Sequence, residues 1–269
     1  MTRARTIVFV HAHPDDEVFL TGATMARLAA EGHRVVLVTA TAGDRGLTAA
    51  VGRAGLGQVR ALELTRAAAA LGCFEVHPLG YADSGMDIAT VPESGFARVP
   101  VEDVALRVAG IVTEAGAEVV CGYDRAGGYG HPDHIQVHRV TRRAAELTGT
   151  RLLEATVNRR ALQTVLRLAA PLLPNEAQYR PASLDARFTS PEEITHSIRA
   201  GRHIMAKQRA LAAHASQATG GENERLAALL LRLPRPLFTV LLGREWFVEP
   251  GRPPGAKARH FFDDVPPPA

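Results

Sequence analysis

Lysine is almost missing from this chain: of its 31 basic residues only Lys207 and Lys257 are not arginine. Acidic residues number 28, so the formal net charge is only +3. No run of five or more basic residues occurs, and a face that grips nucleic-acid phosphates needs such clustering. The arginine bias therefore reads as composition, and no nucleic-acid partner is expected. Cysteine is scarce too. Cys73 and Cys121 sit in or beside apolar runs and form no CxxC pair, which excludes a disulfide framework and points to a reducing compartment. The first apolar run, Thr6 to Val10, is too short for a signal-peptide core or a membrane span. A cytoplasmic protein with no membrane partner is the expectation. Also absent are the G-x-G-x-x-G turn after the first strand, a Walker sequence, HExxH and a G-x-S-x-G elbow. These absences leave dinucleotide, P-loop, zincin and serine-nucleophile chemistry unsupported.

What is present is an alternation. With 269 residues, 46% of them hydrophobic, the chain can bury a sizeable core. Strands are predicted at Thr6–Val10, Arg34–Ala40, Phe74–Leu79, Glu118–Tyr123 and Arg151–Val157. Helices are predicted at Val18–Ala30, Val59–Leu71, Val101–Ala115 and His134–Leu147, with a glycine-dotted loop from Ala42 to Gly57. This spacing implies a Rossmann-like α/β fold, a mostly parallel sheet with helices on both faces. Ser190-Pro191-Glu192-Glu193 has a helix-start pattern, so a long helix is expected from there to about His214. The whole reads as one domain, with a core over about 5–190 and a helical or irregular C-terminal addition over about 190–269. A Gly220-Gly221 break and a frayed Pro266–Pro268 end belong to that addition.

Two strand-to-helix corners carry the same syntax. His13-Pro14-Asp15-Asp16-Glu17 follows the first strand, and His131-Pro132-Asp133-His134 follows the fourth. In a parallel α/β sheet, ligands bind beyond the carboxyl ends of strands, where both corners lie. Proline at the first helical position would put His13 at the cap and Asp16 on the same helix face. The same reasoning pairs His131 with His134. Histidine nitrogens and carboxylate oxygens suit Zn²⁺ at roughly 2.0–2.2 Å. Iron(II) or manganese suits two histidines and a carboxylate as well. Asp15, next to Asp16, points elsewhere and is placed to take a proton from water that the ion acidifies. A histidine not used as a ligand can polarise an oxyanion. A lone His-Pro-Asp turn is more often a helix cap; the pair favours a site. Other residues keep two readings. His11 is a packed strand histidine or a support for the site. Glu17 orients a ligand or is a first-turn acid. Asp44 and Arg45 contact substrate or form a solvated turn. His138 and the remaining histidines, His33, His77, His196, His203 and His260, read as structural.

The two corners, together with Gly127-Gly128-Tyr129-Gly130, resemble the zinc-dependent LmbE-like (PIG-L-like) N-acetylglucosaminyl deacetylases. They are most similar to the actinobacterial enzymes of mycothiol biosynthesis and their amidase relatives. Weaker matches are Arg60 with Glu63-Leu64, Asp83-Ser84-Gly85-Met86, and Lys207 through His214 and Gln217. The resemblance implies that His13, Asp16 and His134 ligate zinc and that Asp15 is the general base. It implies His131 as general acid and oxyanion stabiliser, Asp133 tuning the charge of His131, and Tyr129 adding a hydroxyl. Arg60 and Asp83 would hold sugar or inositol hydroxyls, with Met86 and His214 at the substrate rim; Asp44 is a further substrate-contact candidate from its loop position alone. The short segment from Leu79 to Asp83 and the compact region after Arg151 depart from the mycothiol pattern at that rim. The implied activity removes the N-acetyl group of an amino sugar in a small glycoside or natural product. An amidase on mycothiol-like thiol conjugates is the nearest alternative, and a non-catalytic sugar- or nucleotide-binding module is the alternative of another class. Oligomeric state is left open, a homo-oligomer included.

Overall fold

The computed structural model describes residues 3–45, 53–169, 189–218, 226–253 and 257–263. Seven strands form one sheet: β1 (Thr6–His11), β2 (Arg34–Thr41), β3 (Glu75–Tyr81), β4 (Val119–Tyr123), β5 (Arg151–Thr156), β6 (His196–Arg199) and β7 (Arg244–Val248). Their order is β3-β2-β1-β4-β5-β7-β6. The first five are parallel, and β7 runs antiparallel to both β5 and β6. The helices are α1 (Asp16–Ala30), α2 (Arg53–Leu71), α3 (Val101–Glu114), the short turn α4 (Gly127–Gly130), α5 (Pro132–Thr148) and α6 (Arg159–Ala169). They continue with α7 (Ile204–Ala213), α8 (Ala215–Ala218), α9 (Leu226–Arg232) and α10 (Arg235–Leu242).

The continuous apolar runs explain the layering. Successive strand residues face opposite sides, so Ile7 and Phe9 of β1 join one core cluster and Val8 and Val10 the other. The first cluster is completed by α1, α2 and α7, the second by α3 and α5. A sheet covered on both faces requires apolar strands throughout, which is what β1, β2 and β4 supply. The chain leaves β1 in one direction toward β2 and β3 and returns to place β4 on its other side. That reversal opens a crevice at the carboxyl ends of β1 and β4.

Several expected boundaries shift. α2 begins at Arg53, so Gly55 and Gly57 are helical and not part of a loop. Gly57 packs where a Cβ would meet Ala42 Cβ at 3.3 Å, so helix and strand end approach closely there. Residues 46–52 of the expected loop, the Gly220-Gly221 break and the Pro266–Pro268 end lie outside the described residues. The helix expected from Ser190 to His214 does not form. Residues 191–193 make a turn, His196–Arg199 is a strand, and helix resumes only at Ile204. His196, Ile198 and Ala200 are buried, Ser197 is half-buried and Arg199 exposed, a period of two that β7 fixes by pairing. The C-terminal segment thus extends the sheet. Among the described residues, no helix is long and apolar enough to cross a membrane.

Candidate metal centre and active site

Both corners stand at the crevice between β1 and β4. At the second, the expected start holds: His131 is the N-cap of α5, its Nδ1 accepts the Asp133 backbone N–H at 3.1 Å, and Pro132 takes the first helical position. Gly127 of α4 has φ 58°, and a Cβ there would lie 2.8 Å from His134 Cβ; only glycine lets the loop close over the corner. At the first corner the cap is not His13. α1 begins at Asp16, and Asp15 holds the cap position with φ 106°, the one positive φ outside glycine among the described residues. Such a backbone costs about 1–3 kcal/mol and persists only where neighbours impose it. Those neighbours are present. Glu17 Oε2 accepts the Asp15 N–H at 2.9 Å, and Arg60 donates to the carbonyl oxygens of Pro14 and Gly43. Arg60 also lies 3.2 Å from the Asp15 carboxylate.

The corners converge on one carboxylate oxygen. Asp16 Oδ2 lies 3.2 Å from His13 Nδ1 and 3.2 Å from His134 Nε2. The donor atoms of His13, His131 and His134 all lie within 4.8 Å of one another, as do those of His13, Asp83, His131 and Asp133. Burial and the charge of this cluster are at odds with each other. Asp16, Asp83 and Asp133 are all buried, at 8%, 5% and 0% exposure. Burying three carboxylates together is expensive unless positive charge accompanies them. Against the upward push of burial, His134 and His13 hold the Asp16 carboxyl well below the usual carboxylate range. Against the downward push of burial, hydrogen bonds to Asp133, Asp16 and Asp83 raise His13 well above the usual imidazole value. His134 is 1% exposed; its Nδ1 has no hydrogen-bond partner and its Nε2 meets only the Asp16 oxygen, while Asp133 Oδ1 is also unpartnered. Orphaned buried donors and acceptors of this kind call for an explanation. A divalent cation fits: it takes imidazole nitrogen and carboxylate oxygen and supplies the missing positive charge.

A second histidine–carboxylate group, Glu31, His33 and His260, lies at the far end of α1. It is not equivalent. His33 Nδ1 accepts from Arg5 N and His260 Nδ1 accepts from Phe262 N, so each neutral ring carries its proton on Nε2. His260 Nε2 donates that proton to Glu31 at 2.6 Å.

Around the candidate centre, Asp15 keeps a side chain 21% exposed. Burial pushes its carboxyl up to about 6, with Arg60 opposing and Asp16 reinforcing. Burial, then His13 and His134, lower His131 to about 4, while Asp133 opposes. Its Nδ1 is spent on the cap, so Nε2 is the nitrogen left for chemistry. The Tyr129 ring packs edge-on to His134 at 4.9 Å and stays 42% exposed at the rim.

Residues 8–145 match the family described as GlcNAc-PI de-N-acetylase, PIG-L. The chain belongs to this de-N-acetylase family. It is 40% identical over 241 residues to the 1D-myo-inositol 2-acetamido-2-deoxy-alpha-D-glucopyranoside deacetylase of Thermobifida fusca, covering 79% of this chain and 83% of the relative. The protein of that name in Nocardiopsis dassonvillei is 40% identical over 247 residues, covering 82% and 86%. Among solved structures, N,N'-diacetylchitobiose deacetylase from Pyrococcus horikoshii shares the fold at 18% identity and a TM-score of 0.56, covering 91% of this chain and 82% of that one.

In this de-N-acetylase family member the expected substrate contacts divide. Asp83 points into the centre, its Oδ1 3.6 Å from His13 Nε2, and is held by the Gly85 and Arg45 backbone N–H groups. Met86 is 56% exposed at the rim, and exposed Asp44 accepts from Asp83 N at 3.4 Å. Two expectations need correction. Arg60 is only 3% exposed, and its two terminal nitrogens hold the Asp15 corner, so in this structure it supports that corner. His214 is fully buried behind Glu17, 2.6 Å from its carboxylate, and cannot reach a ligand at the rim. The Asp133 carboxylate also differs: it accepts from Ser84 N at 3.0 Å and faces His13 Nε2 at 3.1 Å, acting on His131 only through space. Two further residues contribute: Tyr123, which the sequence did not single out, and Ser84, which it named only within the Asp83–Met86 match. Tyr123, at the end of β4, stacks on His134 at 4.4 Å and accepts the Ala12 N–H, tying the corners together. Ser84 is fully buried, and its Oγ accepts from Ala97 N. An aromatic residue directly before a functional corner was the only available signal for the first. His11 resolves as a support, bonded to Thr21 Oγ1 and Tyr123 OH.

Proposed function

We propose that this protein is a metal-dependent N-deacetylase acting on an N-acetylglucosaminyl-type sugar in a small glycoside. The observation that carries the reading is the single Asp16 oxygen facing a histidine from each corner, within a family of de-N-acetylases. Two relatives at 40% identity, each named for deacetylating an N-acetylglucosamine joined to inositol, support a substrate of that class. They favour it over the amidase alternative and over a non-catalytic module.

His13, Asp16 and His134 would hold the ion; zinc suits them, and iron(II) suits them as well. When bound, the ion supplies Lewis-acid polarisation of water and of the amide carbonyl. Asp15, held toward the pocket by its constrained backbone, accepts a proton from the attacking water. His131, anchored through Nδ1, offers its Nε2–H to the developing oxyanion and then delivers that proton to the departing amine nitrogen as the proton that Asp15 took from water replaces it. The Tyr129 hydroxyl, at the exposed rim, would add a donor to the oxyanion. Asp133 acts through His13 and through its charge near His131. Asp83, Met86 and Asp44 line the approach where sugar hydroxyls would be read.

The test is amine release from N-acetylglucosaminyl glycosides bearing different aglycones, alongside a bulky thiol-conjugate amide. Release from the glycosides, lost on chelation and restored by zinc, is expected. Turnover of the conjugate alone would install the amidase reading. Ligand binding without any release would install the non-catalytic one.

A further inference from the structure

A second concave surface lies away from the corners. Arg27 in the last turn of α1, Ser197 and Arg199 of β6, Arg244 of β7, and Lys257 and Arg259 line a cleft of about 620 Å³. Five of these six side chains are cationic, no carboxylate among the described residues lines the cleft, and one of the chain's two lysines is there. Its volume falls within the roughly 300–1,000 Å³ of small-molecule sites.

The cleft gathers cations in one concavity. Several arginines elsewhere meet carboxylates: Arg143 with Glu102, Arg151 with Glu249, Arg34 with Glu75, Arg142 with Glu154. Among the described residues, the side chains of Arg199, Arg244 and Arg259 meet none. Arg199 and Arg244 are direct cross-strand partners. Like charges placed opposite each other on adjacent strands are destabilising, and an anion between them removes that repulsion. The other two cations are fixed at the cleft by partial use of their donors. Arg27 holds Glu31 through Nε and the Arg259 carbonyl through a terminal nitrogen, and Lys257 Nζ donates to the Pro191 carbonyl at 2.6 Å. Each retains further N–H groups, and the Ser197 hydroxyl is a neutral donor beside them.

We propose that this cleft binds a small-molecule polyanion carrying two or more phosphate groups. Guanidinium forks match phosphate oxygens two at a time, and the cleft has room for far more than one phosphate. Charges on an edge strand also guard against edge-to-edge pairing. That role needs only solvated residues along β6. It does not call for cations from α1, β7 and the 257–259 segment to converge on one concavity. The cleft is separate from the candidate metal centre, since Arg27 lies about 16 Å along α1 from Asp16 at 1.5 Å per residue.

Calorimetric titration of the metal-loaded protein with inorganic tripolyphosphate, and with sulfate as the single-anion control, tests this. Tripolyphosphate should bind with one-to-one stoichiometry and at least about tenfold more tightly than sulfate. The R199Q/R244Q variant, and R259Q as an independent variant, should each weaken binding about tenfold or more. Amine release should stay unchanged, and the melting temperature should not fall, since R199Q/R244Q removes the repulsion between the paired cations. Heat from capture of the metal by tripolyphosphate is common to wild type and variants and cancels in the comparison. Absence of one-to-one binding, or equal affinity in both variants, overturns the proposal. So does a single-stranded oligonucleotide binding more tightly than tripolyphosphate with the same residue dependence, because the cleft would then belong to a nucleic-acid surface.

Discussion

Glu17 and His214 face each other at 2.6 Å in the interior, both fully buried, although they are far apart in sequence. The other oxygen of Glu17 accepts the Asp15 backbone N–H, so the pair links α1 to the end of α7 and supports the strained corner at once. A neighbouring strut repeats the device: Glu63 of α2 accepts from the backbone and hydroxyl of Ser216. Removing one partner of a buried charged pair costs roughly 3–5 kcal/mol. His214→Ala should lose stability of that order in chemical denaturation and lower kcat more than it raises KM. A loss below about 1 kcal/mol would separate this pair from the stability of the corner.

Asp15 combines an unfavourable backbone with a carboxyl pushed up to about 6. Both features destabilise the folded protein at neutral pH for the sake of the site. Asp15→Gly should therefore raise stability by about 1 kcal/mol, relieving the positive φ, while activity disappears. Asp15→Asn should lower turnover by about 10²–10⁴-fold with metal content intact. Wild-type turnover in the asparagine variant would remove Asp15 from the base role.

His13→Ala and His134→Ala should each lose bound metal, measured by elemental analysis of the purified variants. Chelation of the wild type should abolish amine release, and zinc should restore it. Because the ion binds the folded state, its removal should also lower the melting temperature. Variants that keep a full equivalent of metal would move the ligand set elsewhere in the cluster, with His131 and Asp83 the next donors.

His196 supplies a pH dependence far from the candidate metal centre. Its Nδ1 faces Thr195 Oγ1 at 2.8 Å and its Nε2 faces Arg151. Burial, with Arg151 next, lowers it from 6.5 to about 4. The unfolded chain then binds a proton that the folded protein refuses, so stability falls as pH drops from about 6.5 toward about 4. The melting temperature of the wild type should decline across that window more steeply than that of His196→Gln. Parallel curves would assign the decline to other groups.

The local pattern carried most of the architecture. The apolar runs at β1, β2 and β4 and the helical stretches between them dictate a layered parallel sheet, because only burial on both faces accommodates uninterrupted apolar strands. Boundaries moved where glycine served packing instead of a turn, as at Gly55 and Gly57 in α2. The helix expected after Ser190 failed because its start pattern is local, whereas pairing of β6 with β7 is not.

The sequence by itself determined that two His-Pro-Asp corners close two β-strands, and with them the donor types and the proton-handling groups within reach. Which of those groups meet was a tertiary decision. The reversal that sets β4 beside β1 brings His13, Asp16 and His134 together, a contact no local spacing encodes. Tertiary packing also buried Arg60 against backbone carbonyls and His214 against Glu17, so that both support the first corner. The strain at Asp15 and the unpaired cations facing one cleft arose likewise, because backbone geometry and net local charge are fixed only when distant segments pack.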